Sequence, residues 1–258
     1  MRRRIGVPLG CGLALSAILG LTISTTALAD YDCAALTHCY SVAGLNDGKT
    51  TTGIFGTWQS SALNPDSTFV GSHTNTTVWL LTSTLPSWVE VGLINYSPGS
   101  PYGSGYEVYW AEGDSSGNFY FHAGASTTAD GSEHNYEIQQ NSHTNWFNVY
   151  RDYKFVGTST KQSYWTSCSA VGCNEAGGEL GVSFDCPGPR PGTCGSDLDP
   201  SESAGGFDVY LQSKSTGGAW YYWPSAAYST DLGCGPNPSG YCLNGYPYYT
   251  YEWSWNKP

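Results

Sequence analysis

Short segments in which hydrophobic and polar residues alternate follow one another along most of the chain, which is the pattern of β-strands. Turn sequences rich in Gly, Asn, Asp and Ser separate them at intervals of roughly 8–15 residues. No segment keeps the period of an amphipathic helix over more than about two turns. The pattern therefore predicts an all-β fold, an antiparallel β-sandwich. The predicted strands span 52–58, 76–82, 88–95, 106–112, 118–123, 135–140, 145–151, 153–158, 179–184, 207–213, 219–223 and 248–255.

The first 29 residues have the pattern of a secretory signal peptide. Three arginines are followed by an apolar stretch that ends near Ile23, and the segment closes on the small-residue cleavage sequence Ala27-Leu28-Ala29. We therefore expect a secreted protein whose mature part, residues 30–258, forms one β-sandwich domain. No later segment is apolar for long enough to span a bilayer, so no membrane contact is expected after cleavage.

The cysteines predict loops closed by disulfides. Of the nine cysteines, Cys11 leaves with the signal peptide, and the other eight fall into close sequential pairs. Eight cysteines allow 105 connectivities, so sequential pairing is a hypothesis from proximity alone. We expect a polar, disulfide-stapled segment over 30–50 and a Pro/Gly/Cys-rich loop over 185–206. Cysteines and aromatic residues interrupt the 185–206 loop, which is therefore not an interdomain linker.

The charge excludes one class of partner. Removing the signal peptide leaves 7 basic and 21 acidic residues, a net charge of about −14 with histidine neutral (7 minus 21). Nucleic-acid binding needs a basic stripe, which is absent.

No Cys-x-x-Cys motif occurs and the five histidines are scattered, so no metal site is predicted. Phosphate loops, dinucleotide fingerprints and the common serine, zinc and aspartic hydrolase signatures are missing as well, and no cofactor is expected.

Two glutamates stand inside segments that otherwise read as buried strands. Glu90 lies in Trp88-Val89-Glu90-Val91-Gly92-Leu93, and Glu179 lies in Gly178-Glu179-Leu180-Gly181-Val182. Side chains alternate between the faces of a strand, so Val89, Val91 and Leu93 should face a core together, as should Leu180, Val182 and Phe184. Each glutamate then lies on the opposite face, two residues before a glycine that leaves room for a ligand. This pair is the main candidate site, although a solvent-facing residue on an ordinary amphipathic strand is the alternative.

Aromatic residues on neighbouring positions are candidates for substrate binding. Tyr106 and Trp110 share one face of a predicted strand, and Trp88 lies beside Glu90 on the same face of its own strand. Such side chains either pack in a core or form the floor of a groove that holds an extended polymer, peptide or glycan.

The order of these features resembles that of the glutamic peptidases, both the fungal eqolisins and the neprosin type. Gly53-Ile54-Phe55-Gly56-Thr57-Trp58 is similar to the strand that opens the eqolisin domain. Val89-Glu90-Val91-Gly92 resembles the strand with the first catalytic residue, a Gln in eqolisins and a Glu in neprosins. Gly177-Gly178-Glu179-Leu180 resembles the neprosin form of the strand with the second. The resemblance covers about residues 50–184.

The resemblance implies a curved, concanavalin-like or jelly-roll-like sandwich whose concave face carries both carboxyls. It implies an acid endopeptidase without a metal, in which Glu179 activates a water molecule and Glu90 stabilises the oxyanion. Two departures matter: Glu90 replaces the eqolisin glutamine, and Ala176 replaces the tryptophan that neprosins have before Gly-Gly-Glu. Two other hypotheses remain, a non-catalytic β-sandwich that binds glycan or cell-wall polymer through an aromatic face, and a structural surface protein.

Overall fold

The computed structural model of the 258-residue chain describes two β-sheets. It describes residues 38–60, 63, 73–82, 87–98, 100, 103, 105–162, 166–167, 169, 173–181, 203–224, 226–230, 241–245 and 250–256. The strands are β1 (His38–Leu45), β2 (Thr51–Gln59), β3 (His73–Leu81), β4 (Trp88–Tyr96), β5 (Gly105–Gly113), β6 (Phe119–Ser126), β7 (Glu133–Gln140), β8 (Phe147–Arg151), β9 (Lys154–Ser159), β10 (Asn174–Gly181), β11 (Ser203–Ser215), β12 (Trp220–Tyr222), β13 (Ala226–Thr230), β14 (Tyr241–Gly245) and β15 (Thr250–Asn256).

All strand pairs are antiparallel, and the two sheets pack face to face as a sandwich. The seven-stranded sheet has the order β13-β1-β10-β3-β4-β5-β6, and the eight-stranded sheet has the order β14-β15-β11-β2-β7-β8-β9, with β12 paired to β11. The predicted all-β antiparallel sandwich is confirmed. The described part of the chain contains no helix, and so none that is long and apolar enough to cross a membrane.

The main core lies between the sheets. One sheet contributes Val89, Val91 and Leu93 from β4, which are at most 1% exposed. The other contributes Trp58 and Tyr136, whose rings stack with centroids 4.3 Å apart. The prediction for the inner face of β4 is therefore confirmed. Because side chains alternate, Glu90 must lie on the outer face of the seven-stranded sheet. The corresponding prediction for Leu180, Val182 and Phe184 falls on side chains outside the described residues.

Four strands differ from the sequence prediction. The segment predicted as a polar, disulfide-stapled stretch contains β1, and β13 and β14 were not predicted at all. The three have few large apolar residues, and β13 and β14 lie at sheet edges, where pairing needs little hydrophobic pattern. The fourth, β10, begins at Asn174 rather than 179, because Gly177 and Gly178 pair with β1 on one side and β3 on the other.

The cysteine predictions are only partly within reach of the described residues. Cys173 is buried and disulfide-bonded. Its partner and the other three predicted pairs stay predictions. The 185–206 loop lies outside the described residues up to Ser203, where β11 begins.

Candidate active site

The outer face of the seven-stranded sheet carries both predicted glutamates, which the pairing of strands places in adjoining regions of one surface. Glu179 of β10 is opposite Asn75 of β3, and Glu90 of β4 is opposite Trp79 of β3. Asn75 and Trp79 are four residues apart on the same strand, so their side chains share a face. Glu90 and Glu179 are 5% and 6% exposed. Two carboxyls remote in sequence are thus brought to one face by the intervening strand β3.

Between the two carboxyls runs a row of mostly small residues. The register aligns Gly177 of β10 with Thr77 of β3, then with Gly92 of β4 and Tyr109 of β5. Two of the four positions are glycines, so no side chain projects from the sheet at those two positions between the carboxyls. Gly92 has a packing reason as well, because a Cβ there would lie 2.1 Å from the Thr76 carbonyl oxygen.

Glu90 is held in its neutral form. Burial raises the pKa of Glu90 well above its ordinary value, and the charge of Glu179 raises it further. Hydrogen bonding to the side chains of Trp79 and Tyr109 offsets only part of this rise. Two carboxyls that share one electrostatic environment cannot both ionise cheaply, so one of them retains its proton. In this pair Glu90 is the carboxyl that retains it.

Glu179 is oriented by a residue that the sequence analysis did not identify. Nδ2 of Asn75 donates a hydrogen bond of 2.7 Å to Oε2 of Glu179. Asn75 is 2% exposed, and its Oδ1 has no hydrogen-bond partner among the described protein groups. The donated bond fixes the position of one carboxylate oxygen of Glu179.

Replacing Asn75 with alanine is expected to weaken the function of Glu179 without unfolding the protein. A hydrogen bond to a charged group contributes roughly 1.5–3 kcal/mol, so a loss of about tenfold or more in any activity that needs Glu179 is expected. The measurement is kcat for wild type and variant, with thermal unfolding as the check on folding. Thr74→Ala is the matched control, because Thr74 is buried on the opposite face of β3 and its Oγ1 has no partner among the described residues. Equal activity of both variants would contradict the orienting role.

A third carboxyl lies on the same face. Glu175 of β10 is opposite Trp79 of β3, on the side of that strand away from Glu90. Burial raises the pKa of Glu175 to about 8, although its side chain is partly accessible to solvent. The sequence prediction began β10 after this residue and therefore missed it. The face therefore carries three acidic side chains. The pKa values of Glu90 and Glu175 are raised above the usual carboxyl range, so these two keep their protons to higher pH.

The predicted aromatic residues divide between the two faces. Trp88 lies on the outer face near Glu90, half-buried against Trp79 and Leu81, with its ring centroid 5.8 Å from that of Phe119. Trp110 faces the other way, into the main core. Tyr106 does too, and its hydroxyl bonds to the backbone of Leu63. The structure therefore brings Trp88 to the two carboxyls, and it separates Tyr106 and Trp110 from them by the thickness of the sheet.

No cluster of three or more potential metal ligands occurs among the described residues. The chemistry that the described face offers is that of its carboxyl, phenol, indole and amide groups. A neutral carboxyl and an oriented carboxyl on one sheet face offer a proton donor and a proton acceptor, the two roles that general acid–base catalysis requires.

No protein-family profile and no curated protein matches the chain. Among solved structures, the fold is similar to that of scytalido-glutamic peptidase with a transition state analog inhibitor, with a TM-score of 0.51 and 11% identity. The match covers 85% of this chain and 98% of that one. A second structure of the same peptidase, with a peptide based transition state analog, has a TM-score of 0.49 at 11% identity and the same coverage.

A third similar structure is SCP-B, a member of the Eqolisin family of peptidases, in a complex with the tripeptide Ala-Ile-His. Its TM-score is 0.45 at 10% identity, and the match again covers 85% of this chain and 98% of that one. At this level of identity the likeness concerns the fold. The fold of this chain is therefore a β-sandwich similar to that of scytalido-glutamic peptidase.

Proposed function

We propose that the protein is a secreted acid endopeptidase of the glutamic type, in which Glu179 is the general base and Glu90 stabilises the oxyanion. The observation that carries the proposal is the pair of buried carboxyls on one sheet face, of which Glu90 is held neutral and Glu179 is oriented by Asn75. Secretion follows from the signal sequence in residues 1–29. A glutamate rather than a glutamine at position 90 favours the neprosin form of the family.

The reaction needs one ionised and one protonated carboxyl. Glu179 accepts a proton from water as the water oxygen adds to the scissile carbonyl carbon. The Glu90 carboxyl donates a hydrogen bond to the carbonyl oxygen, which becomes the oxyanion. The proton on Glu179 then passes to the leaving nitrogen as the C–N bond breaks, and the carbonyl re-forms. Peptide is split into an acid and an amine, and both carboxyls return to their first state.

This arrangement implies activity at pH values below the raised pKa of Glu90, and the resemblance to acid-acting glutamic peptidases favours an acid range. Glu90 must keep its proton, and as pH rises through its raised pKa the donor becomes a second anion that repels the oxyanion. We expect wild-type protein to cleave denatured casein in acid and to lose that activity towards neutral pH. The measurement is cleavage from about pH 2.5 to about pH 7, with pepstatin present to suppress aspartic peptidases. An inactive protein at every pH, or activity that is highest at neutral pH, would overturn the proposal.

A second candidate function, glycan binding, has one specific observation in its favour. The outer face of the eight-stranded sheet exposes aromatic rings, with Tyr153 and Phe155 at 70% and 60% exposure. Phe55 stacks on Tyr153 at 6.3 Å and meets Trp220 edge-on at 6.1 Å. Retention of the protein on insoluble polysaccharide, lost in Tyr153→Ala and unaffected by Glu179→Gln, would establish this function.

A further inference from the structure

Tyr109 belongs to the same sheet face as the two glutamates but was not singled out by the sequence. It follows Gly92 in the row between the carboxyls, opposite that glycine on β5. Its ring is 1% exposed and stacks on Phe121, with centroids 5.6 Å apart and planes 14° apart. Because Gly92 has no side chain, the phenol extends across it toward Thr77 and the carboxyls.

Both glutamates act on the Tyr109 hydroxyl. Burial raises the pKa of Tyr109 well above its ordinary value, and the charges of Glu90 and Glu179 raise it further. The phenol is therefore neutral and retains a hydrogen to donate at every pH at which the site works. Its row in the sheet lies between the rows of Glu179 and Glu90, so a ligand bound between the two carboxyls would lie against it.

Among the described residues, that hydrogen has no well-aligned acceptor. The hydroxyl is near enough to Glu90 and Thr77 to interact with them, yet it makes no hydrogen bond of regular geometry, and its oxygen is buried. Thr77 donates its own hydroxyl hydrogen to the Val91 carbonyl oxygen at 2.8 Å. A buried polar group without a partner is costly, by roughly 1–3 kcal/mol, and such groups recur at functional sites.

We propose that Tyr109 is a further catalytic residue, whose hydroxyl donates a second hydrogen bond to the oxyanion that forms when water adds to the scissile carbonyl. This inference rests on the proposed function and extends it from one oxyanion donor to two. A phenol beside a protonated carboxylic acid is a known oxyanion-binding pair in enzymes that stabilise enolates. Both donors are neutral and buried, so neither requires reorganisation when the negative charge develops.

The test is the removal of one oxygen atom. Tyr109→Phe keeps the ring that stacks on Phe121 and deletes the donor, so kcat on a peptide substrate is expected to fall about 10²-fold. KM should change little, since the bond is made only in the transition state. The matched control is Tyr136→Phe, which deletes an equally buried hydroxyl in the main core, on the eight-stranded sheet, that has no hydrogen-bond partner among the described residues.

A binding measurement gives a readout that a packing role would not change. Wild type and Tyr109→Phe are compared for affinity to a peptide whose scissile amide is replaced by a hydrated ketone, and to the parent amide peptide in a Glu179→Gln background. Selective loss of affinity for the tetrahedral peptide supports the inference. Activity and affinity of Tyr109→Phe equal to those of Tyr136→Phe would overturn it while leaving the proposed function intact. An inactive wild type would overturn both.

Discussion

Replacing Glu179 with glutamine is expected to lower kcat on a peptide substrate by about 10²–10⁴-fold, the contribution of a general base. Glutamine has nearly the same shape, and its amide oxygen can still accept the hydrogen bond that Asn75 donates at 2.7 Å. What it loses is the ability to take a proton from water. KM and thermal stability should therefore stay close to the wild-type values, and the loss should appear in kcat at every pH from acid to neutral.

The two substitutions at Glu90 should have opposite outcomes. Glu90→Ala removes a donor to the oxyanion and is expected to cost about 10²–10³-fold in kcat. Glu90→Gln replaces a protonated carboxyl with an amide that donates without needing a proton. That variant should keep much of the activity and extend it to higher pH, because the limb set by deprotonation of Glu90 disappears. The pH profiles of kcat for the two variants decide the matter.

The control for all three variants is Glu133→Gln, which removes an exposed carboxyl from β7 in the other sheet. It should leave kcat and its pH profile unchanged. If Glu179→Gln retained wild-type activity, or if Glu90→Gln and Glu90→Ala were equally inactive at all pH values, the assigned roles of base and neutral donor would be wrong.

Alternation along β4 predicted one half of the site from sequence. Three apolar residues at a spacing of two indicated which face of the strand was buried, so the orientation of Glu90 followed from geometry alone. The same reasoning did not separate Glu90 from Glu112, which is also inside a strand and 2% exposed. Glu112 faces inward, where its Oε2 accepts hydrogen bonds from the 159–162 segment. Sequence alone does not show that the Glu112 carboxyl is occupied by hydrogen-bond donors of the protein.

The partners of the two glutamates were missed because they depend on register. Asn75 and Trp79 lie beside Glu179 and Glu90 only through the pairing of β3 with β10 and β4. Pairing between strands that are about 100 residues apart in the chain, as in the Asn75–Glu179 contact, has no local signal. Tyr109 was missed for the same reason, since only the β4–β5 register puts it opposite Gly92. Tyr106 and Trp110 lie on the opposite face of β5 from Tyr109. The sequence offered no means of deciding which of the two faces of β5 carries the site.

The protein is expected to unfold at a lower temperature at pH 8 than at pH 5, by about 2–12 °C. Burial raises the pKa values of Glu90, Glu137 and Glu175, in the last case to about 8. Between the ordinary carboxyl value of 4.5 and these raised values, the folded state holds protons that the unfolded chain has released. The free energy of unfolding therefore falls as pH rises through that interval.

The size of the effect is calculated from Glu175, whose pKa burial raises to about 8. Allowing for its partial exposure, Glu175 contributes about 1–3 kcal/mol of this pH dependence, and each kcal/mol corresponds to about 2–4 °C in a chain of this size. Thermal unfolding of wild type, Glu175→Gln and the exposed control Glu133→Gln at pH 5 and pH 8 measures it. Glu175→Gln should narrow the difference between the two pH values, and the control should not. A wild-type unfolding temperature that rises from pH 5 to pH 8 would mean that these carboxyls, Glu90 included, are ionised in the folded protein. The catalytic proposal depends on a neutral Glu90 and would then be wrong.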